Sequence, residues 1–307
     1  MSNRAFAISL AVLTVAGFAW FNWITYTQYR ANLVFLADAG IFDFLCAGPR
    51  HGNFLRYPLA WDVNANYLAA HFRPIFLVIM PFYFIVDHMM TYLSVQNAAL
   101  VAAVVPLCLY ARIIIGNNAL ALLVGGMYLT NHFIRSIHLA NHPESMAFLG
   151  FFAMFLAAER RWTWMYIAGF LWAAIVKEDM AIWLGAFGLA LLLEKDPWKR
   201  KAALCTIPAA ILMWIVAILT MKLAGADAMH EAGIKPLSRF ADMGESKPEV
   251  IVYMITHPLE IAGRILRWPL LILFASVGFV ARIDTGERPP PPARRSARTN
   301  TSSCDPQ

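Results

Sequence analysis

The chain has 307 residues, of which 60% are hydrophobic and 14% are charged, and its formal net charge is +6. A soluble domain carries about 25% charged residues, so this composition excludes an ordinary soluble protein and predicts an all-α polytopic protein embedded in the lipid bilayer. The positive charge does not indicate nucleic-acid binding. The chain has no basic stripe with interleaved aromatic residues, and membrane proteins carry excess Lys and Arg on the cytoplasmic side.

The first apolar segment, residues 5–26, contains no charged side chain and follows a short head that carries Arg4. A signal peptide has an apolar core of about 7–15 residues followed by a cleavage site of small residues. This segment is longer, and residues 18–23 are rich in aromatic side chains where small ones are needed. We therefore predict a retained anchor with a cytoplasmic N-terminus.

Further apolar segments follow, and a helix needs about 20 residues to cross roughly 30 Å of hydrocarbon. They lie near residues 72–90, 94–111, 118–134, 145–158, 162–176, 180–193, 202–221 and 262–281. The sequence thus predicts a helix bundle with about eight or nine hydrophobic segments, within a membrane domain of residues 1–283. Segment 72–90 contains two prolines and is expected to be re-entrant or interfacial rather than crossing.

Two short basic loops determine the predicted orientation in the membrane. Residues 159–161 and 195–201 carry most of the Lys and Arg of the middle of the chain, so both are expected in the cytoplasm. The tip of the hairpin between them, Lys177-Glu178-Asp179, is then extracytoplasmic. Each arm of this hairpin has only about 15 residues, or roughly 22 Å, so the charged tip is expected in a polar recess, where charges are costly and usually functional.

The same reasoning places two longer loops, residues 27–71 and 222–261, on the extracytoplasmic face.

The C-terminal residues 284–307 differ in composition from the apolar segments, with four consecutive prolines and several arginines. They fit either a disordered basic, proline-rich tail or a frameshifted or truncated end.

Asp38 and Asp43 lie in the first external loop, five residues apart, so a single helix would direct them about 140° from each other. We expect Asp38 to cap an interfacial helix that contains Asp43. A capping Asp with a solvated Asp and a pair of functional acids both remain open from this spacing.

Other candidates follow on the same face. His71 and Arg73 precede the next apolar segment, where the planar guanidinium suits a phosphate or, alternatively, anchors the chain at the interface. His142 and Glu144 flank Pro143, and Glu144 could simply favour the start of the next helix. Lys177, Glu178 and Asp179 form either a functional group or a self-neutralising turn.

A metal site is not predicted from the histidines. His132, His138 and His142 have spacings that match no zinc signature, and Pro143 interrupts a shared helical face. The four cysteines are far apart and form neither a zinc ribbon nor a disulfide framework. We assign no cofactor, while a divalent metal stays open.

Five motifs in order resemble a known family over residues 33–281. They are "DAGIFDF", "AHFRPI", "NHPESMAF", "VKEDMAIWLGAFGL" and "RFADMGESKPEVIVYMITHP". The sequence is similar to bacterial polytopic membrane proteins catalogued as domain of unknown function 2079, although Phe44 stands where members usually have Gln and Asn141 where they have Phe. Members usually continue with more spans, so the resemblance implies that this chain is incomplete.

That family resembles in turn the membrane glycosyltransferases of the C-type fold, which use a polyprenyl-phosphate sugar donor. The resemblance implies that Asp38 or Asp43 is the general base for an acceptor hydroxyl and that Arg73 and Lys177 hold the lipid phosphate. His71, His142, Glu144, Glu178 and Asp179 are the remaining predicted substrate-binding residues. The alternatives are a transporter or lipid-handling protein, and a non-catalytic fragment.

Overall fold

The computed structural model describes residues 1–33, 36–56, 66–131, 134–135, 142–226, 242–244 and 247–266, which form a bundle of α-helices. Within these ranges, extended backbone pairs only at an isolated antiparallel bridge between Arg56 and Asn66. The predicted all-α membrane helix bundle is therefore confirmed. The predicted tail, residues 284–307, lies outside the described residues.

The helices are as follows in chain order: α1 (Asn3–Arg30), α2 (Leu36–Ala47), α3 (Tyr67–Ala70), α4 (Ile75–Tyr83), α5 (Met89–Ala102), α6 (Val104–Ile115), α7 (Asn118–Thr130), α8 (Ala147–Arg160), α9 (Thr163–Ala174), α10 (Met180–Leu192), α11 (Pro197–Leu223), α12 (Lys247–Thr256) and α13 (Pro258–Leu266). Short 3-10 turns at Gly48–His51 and Pro143–Met146 follow α2 and precede α8.

Three stretches of helix are long and apolar enough to cross a membrane: α1, the consecutive helices α5 and α6 taken as Met89–Ile115, and α11. Each has 27 or 28 residues, or about 40 Å of helix against roughly 30 Å of hydrocarbon. The boundary between α5 and α6 at Ala103 has a local cause. Pro106 has no N–H for the carbonyl of Ala102, so the helix is irregular there.

The remaining apolar helices are shorter than the hydrocarbon core is thick. Helices α7, α8, α9 and α10 have 12 to 14 residues, or about 18–21 Å. Helix α4 has nine residues, about 14 Å, and is too short to cross as a helix. Apolar sequence segments are therefore more numerous than full-length spans in the described structure.

Glycine allows a close backbone contact between α8 and α9. A Cβ added at Gly150 would lie 2.5 Å from the backbone oxygen of Gly169, and one at Gly169 would lie 2.7 Å from that of Gly150. Small residues permit this approach of two backbones, as they do in other membrane helix pairs. The close pair orients α8 and α9 antiparallel, so that the residues before α8 and after α9 meet at one end of the bundle.

Basic residues gather at one end of the bundle, here called the basic end. Arg112 donates to Asn3 Oδ1 at 2.6 Å, which brings the end of α6 to the start of α1. Helix α7 starts at the basic end and ends at the opposite end, where Tyr128 of α7 contacts the ring of Phe148 near the start of α8. Helix α8 therefore runs back and ends at the basic end. There Arg161 donates to Asp196 at 2.7 Å.

Candidate functional site

Helix α2 separates the two acids of the first loop. Asp38 lies in its first turn, and its Oδ2 is 3.4 Å from His142 Nε2. Asp43 instead accepts a hydrogen bond from the Tyr83 hydroxyl at 2.7 Å. The predicted 140° separation fits this arrangement, but the prediction that Asp38 caps the helix is wrong. Leu36 precedes it in the helix and is a good helix former, so the helix begins before Asp38.

Glu144 is the centre of a charged cluster at the end opposite the basic end. It lies in the 3-10 turn before α8, and its Oε1 accepts from Arg73 Nη2 at 2.7 Å and lies 2.9 Å from Lys177 Nζ. Burial alone would raise the pKa of Glu144, but the charges of Arg73 and Lys177 outweigh it and lower the pKa to about 2. Glu144 is therefore an ionised carboxylate shared by two cations.

Arg73 is buried behind this carboxylate, with only 5% of its side chain exposed. Its Nη1 donates to the Tyr67 hydroxyl at 3.1 Å, and its guanidinium carbon lies 5.3 Å from the centre of the Phe42 ring. The arginine thus has both protein partners and an aromatic face, which compensate for its burial. Neither Tyr67 nor Phe42 was identified from the sequence, because no sequence pattern marks a tyrosine six positions before Arg73 or a phenylalanine in another helix as its partner.

Glu178, at the tip of the α9–α10 hairpin, binds residues beside Arg73. Its Oε1 lies 3.0 Å from His71 Nδ1, and its Oε2 accepts from the Phe72 backbone N–H at 3.0 Å. Burial raises the pKa of Glu178, but the hydrogen bond from His71 and further favourable contacts, among them the charge of Lys177, outweigh it, so the net shift is downward. An ionised Glu178 therefore joins the hairpin to the segment before α4.

Lys177 and Asp179 complete the tip. Lys177 Nζ lies 3.2 Å from Asp179 Oδ2 as well as 2.9 Å from Glu144. Burial lowers the pKa of Lys177, but Glu144 and Asp179 raise it by more. Burial raises the pKa of Asp179, whose Oδ1 is buried and makes no hydrogen bond to a described residue. The tip therefore forms an ion pair with Glu144 on another segment and a second ion pair between its own residues.

His142 lies between Asp38 and Glu144. Its Nε2 faces Asp38, and its Nδ1 is 3.7 Å from Glu144 Oε2. The structure thus brings together the following predicted residues: Asp38, His71, Arg73, His142, Glu144, Lys177, Glu178 and Asp179. With neutral imidazoles, their four carboxylates and two cations give a formal charge of −2. We call these eight residues the charged cluster.

Asp43 belongs to a second polar group at the same end, which the sequence did not indicate. Arg50 donates to the Tyr83 carbonyl at 2.8 Å and lies 3.4 Å from Asp87, and His51 Nε2 lies 3.2 Å from Asp87. Burial raises the pKa of Asp43, and its hydrogen bond from Tyr83 offsets only part of the effect. These contacts join α2 to the end of α4.

The described residues contain no group of three or more His, Cys, Asp or Glu arranged to hold a metal ion. His132 and His138 of the sequence analysis lie outside the described residues. The described residues of the cluster are held together by ion pairs and hydrogen bonds.

Comparison with protein families gives one match. A family model described as predicted membrane protein (DUF2079) matches residues 36–286, which include the whole charged cluster. The chain belongs to this family. Searches of curated proteins and of solved structures each found no significant match. Membership supports a membrane protein in contact with the bilayer, and the family description names no reaction.

Proposed function

We propose that this family member is a glycosyltransferase-like enzyme that transfers a sugar from a polyprenyl phosphate on the extracytoplasmic face of the inner membrane. The observation that carries the proposal is the charged cluster itself. Four distant chain segments supply its members, and it lies at the end of the bundle opposite the basic end. Buried and half-buried charges in a membrane protein are costly and usually serve a function.

The charge distribution supports the proposed orientation. The basic end carries Arg112, Arg160, Arg161 and Lys199, whereas the charged cluster at the other end is net acidic. Membrane proteins retain basic loops in the cytoplasm. This would put the N-terminus of α1 in the cytoplasm and the cluster outside, where polyprenyl-linked sugars are used after they have crossed the membrane.

Asp38 is the proposed general base. Its side chain is one-third exposed, so an acceptor hydroxyl can reach it, and the neighbouring His142 orients the carboxylate. The acceptor oxygen would form a bond to the anomeric carbon, the bond from that carbon to the phosphate oxygen would break, and the proton would pass to Asp38. Polyprenyl phosphate would leave with the electron pair.

The two cations predicted to hold the phosphate, Arg73 and Lys177, differ in exposure, and we propose a different role for each. Both cations pair with Glu144, but Arg73 is also bonded to Tyr67 and is almost fully buried, so it supports the site from behind. Lys177 is more accessible, with 18% of its side chain exposed, and remains the proposed phosphate contact. A point charge suits this role because it stabilises a leaving group without transferring a proton.

A transporter is less well supported by the long helices. Charged residues of α1, α5–α6 and α11 lie only in their first or last few positions, at Arg4, Arg30, Arg112, Lys199–Lys201 and Lys222. A path for a charged substrate would favour such groups deep within several helices. The concentration at one end favours chemistry at the membrane surface.

The test is sugar transfer by the purified chain in proteoliposomes, supplied with labelled polyprenyl-phosphate hexoses and cell-envelope glycans as acceptors. We expect transfer by the wild type and a loss of at least about 100-fold in Asp38→Asn, the low end for removal of a positioned general base. Asp87→Asn is the matched control, because Asp87 is an acid at the same end but outside the cluster. Absence of transfer with every donor, or equal loss in both variants, would contradict the proposal.

A further inference from the structure

The carboxylate of Glu178 determines which nitrogen of His71 carries a proton. An ionised carboxylate can only accept hydrogen bonds, so the 3.0 Å contact between Glu178 Oε1 and His71 Nδ1 requires a proton on Nδ1. The second oxygen is already used by the Phe72 N–H, also at 3.0 Å. Glu178 is therefore held from two sides and cannot turn away from the imidazole.

The other nitrogen of His71, Nε2, is not used by the bond to Glu178. About 39% of the His71 side chain is exposed, and Nε2 makes no hydrogen bond to any residue that the structure describes. Because Nδ1 carries the proton in the neutral ring, Nε2 has a free lone pair. His71 thus offers a hydrogen-bond acceptor on a partly exposed ring that Glu178 holds beside the cluster.

We propose that His71 recognises a hydroxyl group of the bound sugar through Nε2, with Glu178 as the positioning residue that fixes its tautomer. The inference rests on the proposed function and names the part of the donor that this residue contacts. A lone pair accepts from a hydroxyl but repels a phosphate oxygen.

Two substitutions separate this role from a structural one. His71→Asn keeps a donor near the position of Nδ1, and so keeps the bond to Glu178, but it removes Nε2. Glu178→Gln leaves one amide oxygen for the Phe72 N–H and directs its NH₂ group at His71, which then has to accept at Nδ1 and carry its proton on Nε2. The second variant therefore turns the Nε2 acceptor into a donor.

The first measurement needs no ligand. Nitrogen-15 spectra of histidine-labelled wild-type chain, with the His71 signals assigned from their loss in His71→Asn, should show the neutral ring protonated on Nδ1. In Glu178→Gln the proton should move to Nε2. A wild-type ring protonated on Nε2, or no change in Glu178→Gln, would overturn the inference.

The second measurement compares binding of a short-chain isoprenyl-phosphate hexose with binding of the same isoprenyl phosphate without sugar. Loss of one hydrogen bond of about 1.4 kcal/mol weakens affinity about tenfold. We expect His71→Asn to lose about tenfold for the sugar-linked probe and nothing for the phosphate alone. His51→Asn is the control, because His51 is an exposed histidine of the second polar group.

The outcomes distinguish this inference from the proposed function. Equal weakening for both probes would assign His71 to the phosphate and overturn the inference, and unchanged affinity for both would also overturn it. A wild-type chain that shows the expected binding pattern but transfers no sugar would contradict the proposed function and leave the role of His71 intact. Sugar transfer by the wild type together with normal binding by His71→Asn would support the proposed function and overturn the role of His71.

Discussion

Glu144 Oε1 lies 2.7 Å from Arg73 Nη2, and this ion pair connects the turn before α8 to the segment before α4. Lys177 approaches the same oxygen from the α9–α10 hairpin at 2.9 Å. One carboxylate thus compensates two cations from two other segments. Because Arg73 is almost fully buried, its charge has no access to water if that carboxylate is lost.

Glu144→Gln should therefore destabilise the fold strongly. Removal of one partner of a buried ion pair costs about 3–5 kcal/mol, because the remaining charge stays buried. The measurement is thermal or denaturant unfolding in detergent. Glu194→Gln is the control, since Glu194 is 44% exposed and Lys199, 3.6 Å away, keeps its closer partner Glu159 at 2.5 Å when Glu194 is neutralised. Similar stability of the two variants would show that Glu144 does not compensate Arg73.

Acid should weaken the same connection. The pKa of Glu144 is lowered from 4.5 to about 2, so its contribution to stability is fully present above pH 4.5 and is lost as the pH falls toward 2. We expect the stability difference between wild type and Glu144→Gln to shrink across this interval. Unfolding free energies measured at a series of pH values test this, and a constant difference down to pH 2 would refute it.

The sequence predicted which residues share one end of the bundle, but not how they pair. The two basic loops were placed on the same side of the membrane, and the number of apolar segments between loops then fixed the side of each other loop. This reasoning correctly grouped Glu144 with the hairpin tip. The choice of Arg73 as the partner of Glu144, 71 positions away, depends on the tertiary fold that brings the segment before α4 to the turn before α8. No local pattern encodes that distance, so this contact required the structure.

Asp43 shows a second limit of sequence reasoning. It shares a short motif with Asp38, and the motif suggested a common role. The helix directs the two acids to different neighbours, and Tyr83, 40 positions later, binds Asp43. Helical periodicity predicted the separation of the two acids, whereas the identity of each partner follows only from tertiary contacts.

The contact between α8 and α9 should not tolerate a larger residue. In Gly150→Ala the new Cβ would lie 2.5 Å from the Gly169 backbone oxygen, so the helices must move apart, at a cost of about 1–3 kcal/mol. Gly126→Ala in α7 is the control, because no atom lies within 4 Å of an added Cβ there and alanine favours a helix. Equal stability of the two variants in unfolding experiments would disprove the close contact.

Labelling of single cysteines tests the proposed orientation. In a background without the four native cysteines, single cysteines at His51 and at positions 141, 178 and 240 should react with an impermeant reagent on intact cells. Cysteines at Arg160 and Arg200 should react only after the membrane is opened, because the basic end is proposed to face the cytoplasm. Labelling at Arg200 but not at 178 would reverse the orientation and put the charged cluster inside the cell.

Asp43→Asn is the decisive partner of Asp38→Asn. Asparagine retains an oxygen that accepts from the Tyr83 hydroxyl, so the contact between α2 and α4 should survive, and the protein should remain in the membrane at normal amounts. Asp43 lies in the second polar group, away from His142 and Lys177, so we expect sugar transfer within a few-fold of wild type. Asp38→Asn should lose at least about 100-fold under the same conditions. The opposite result would move the general base to Asp43 and the reacting sugar toward Tyr83. Full transfer by both variants would eliminate carboxylate base catalysis in α2.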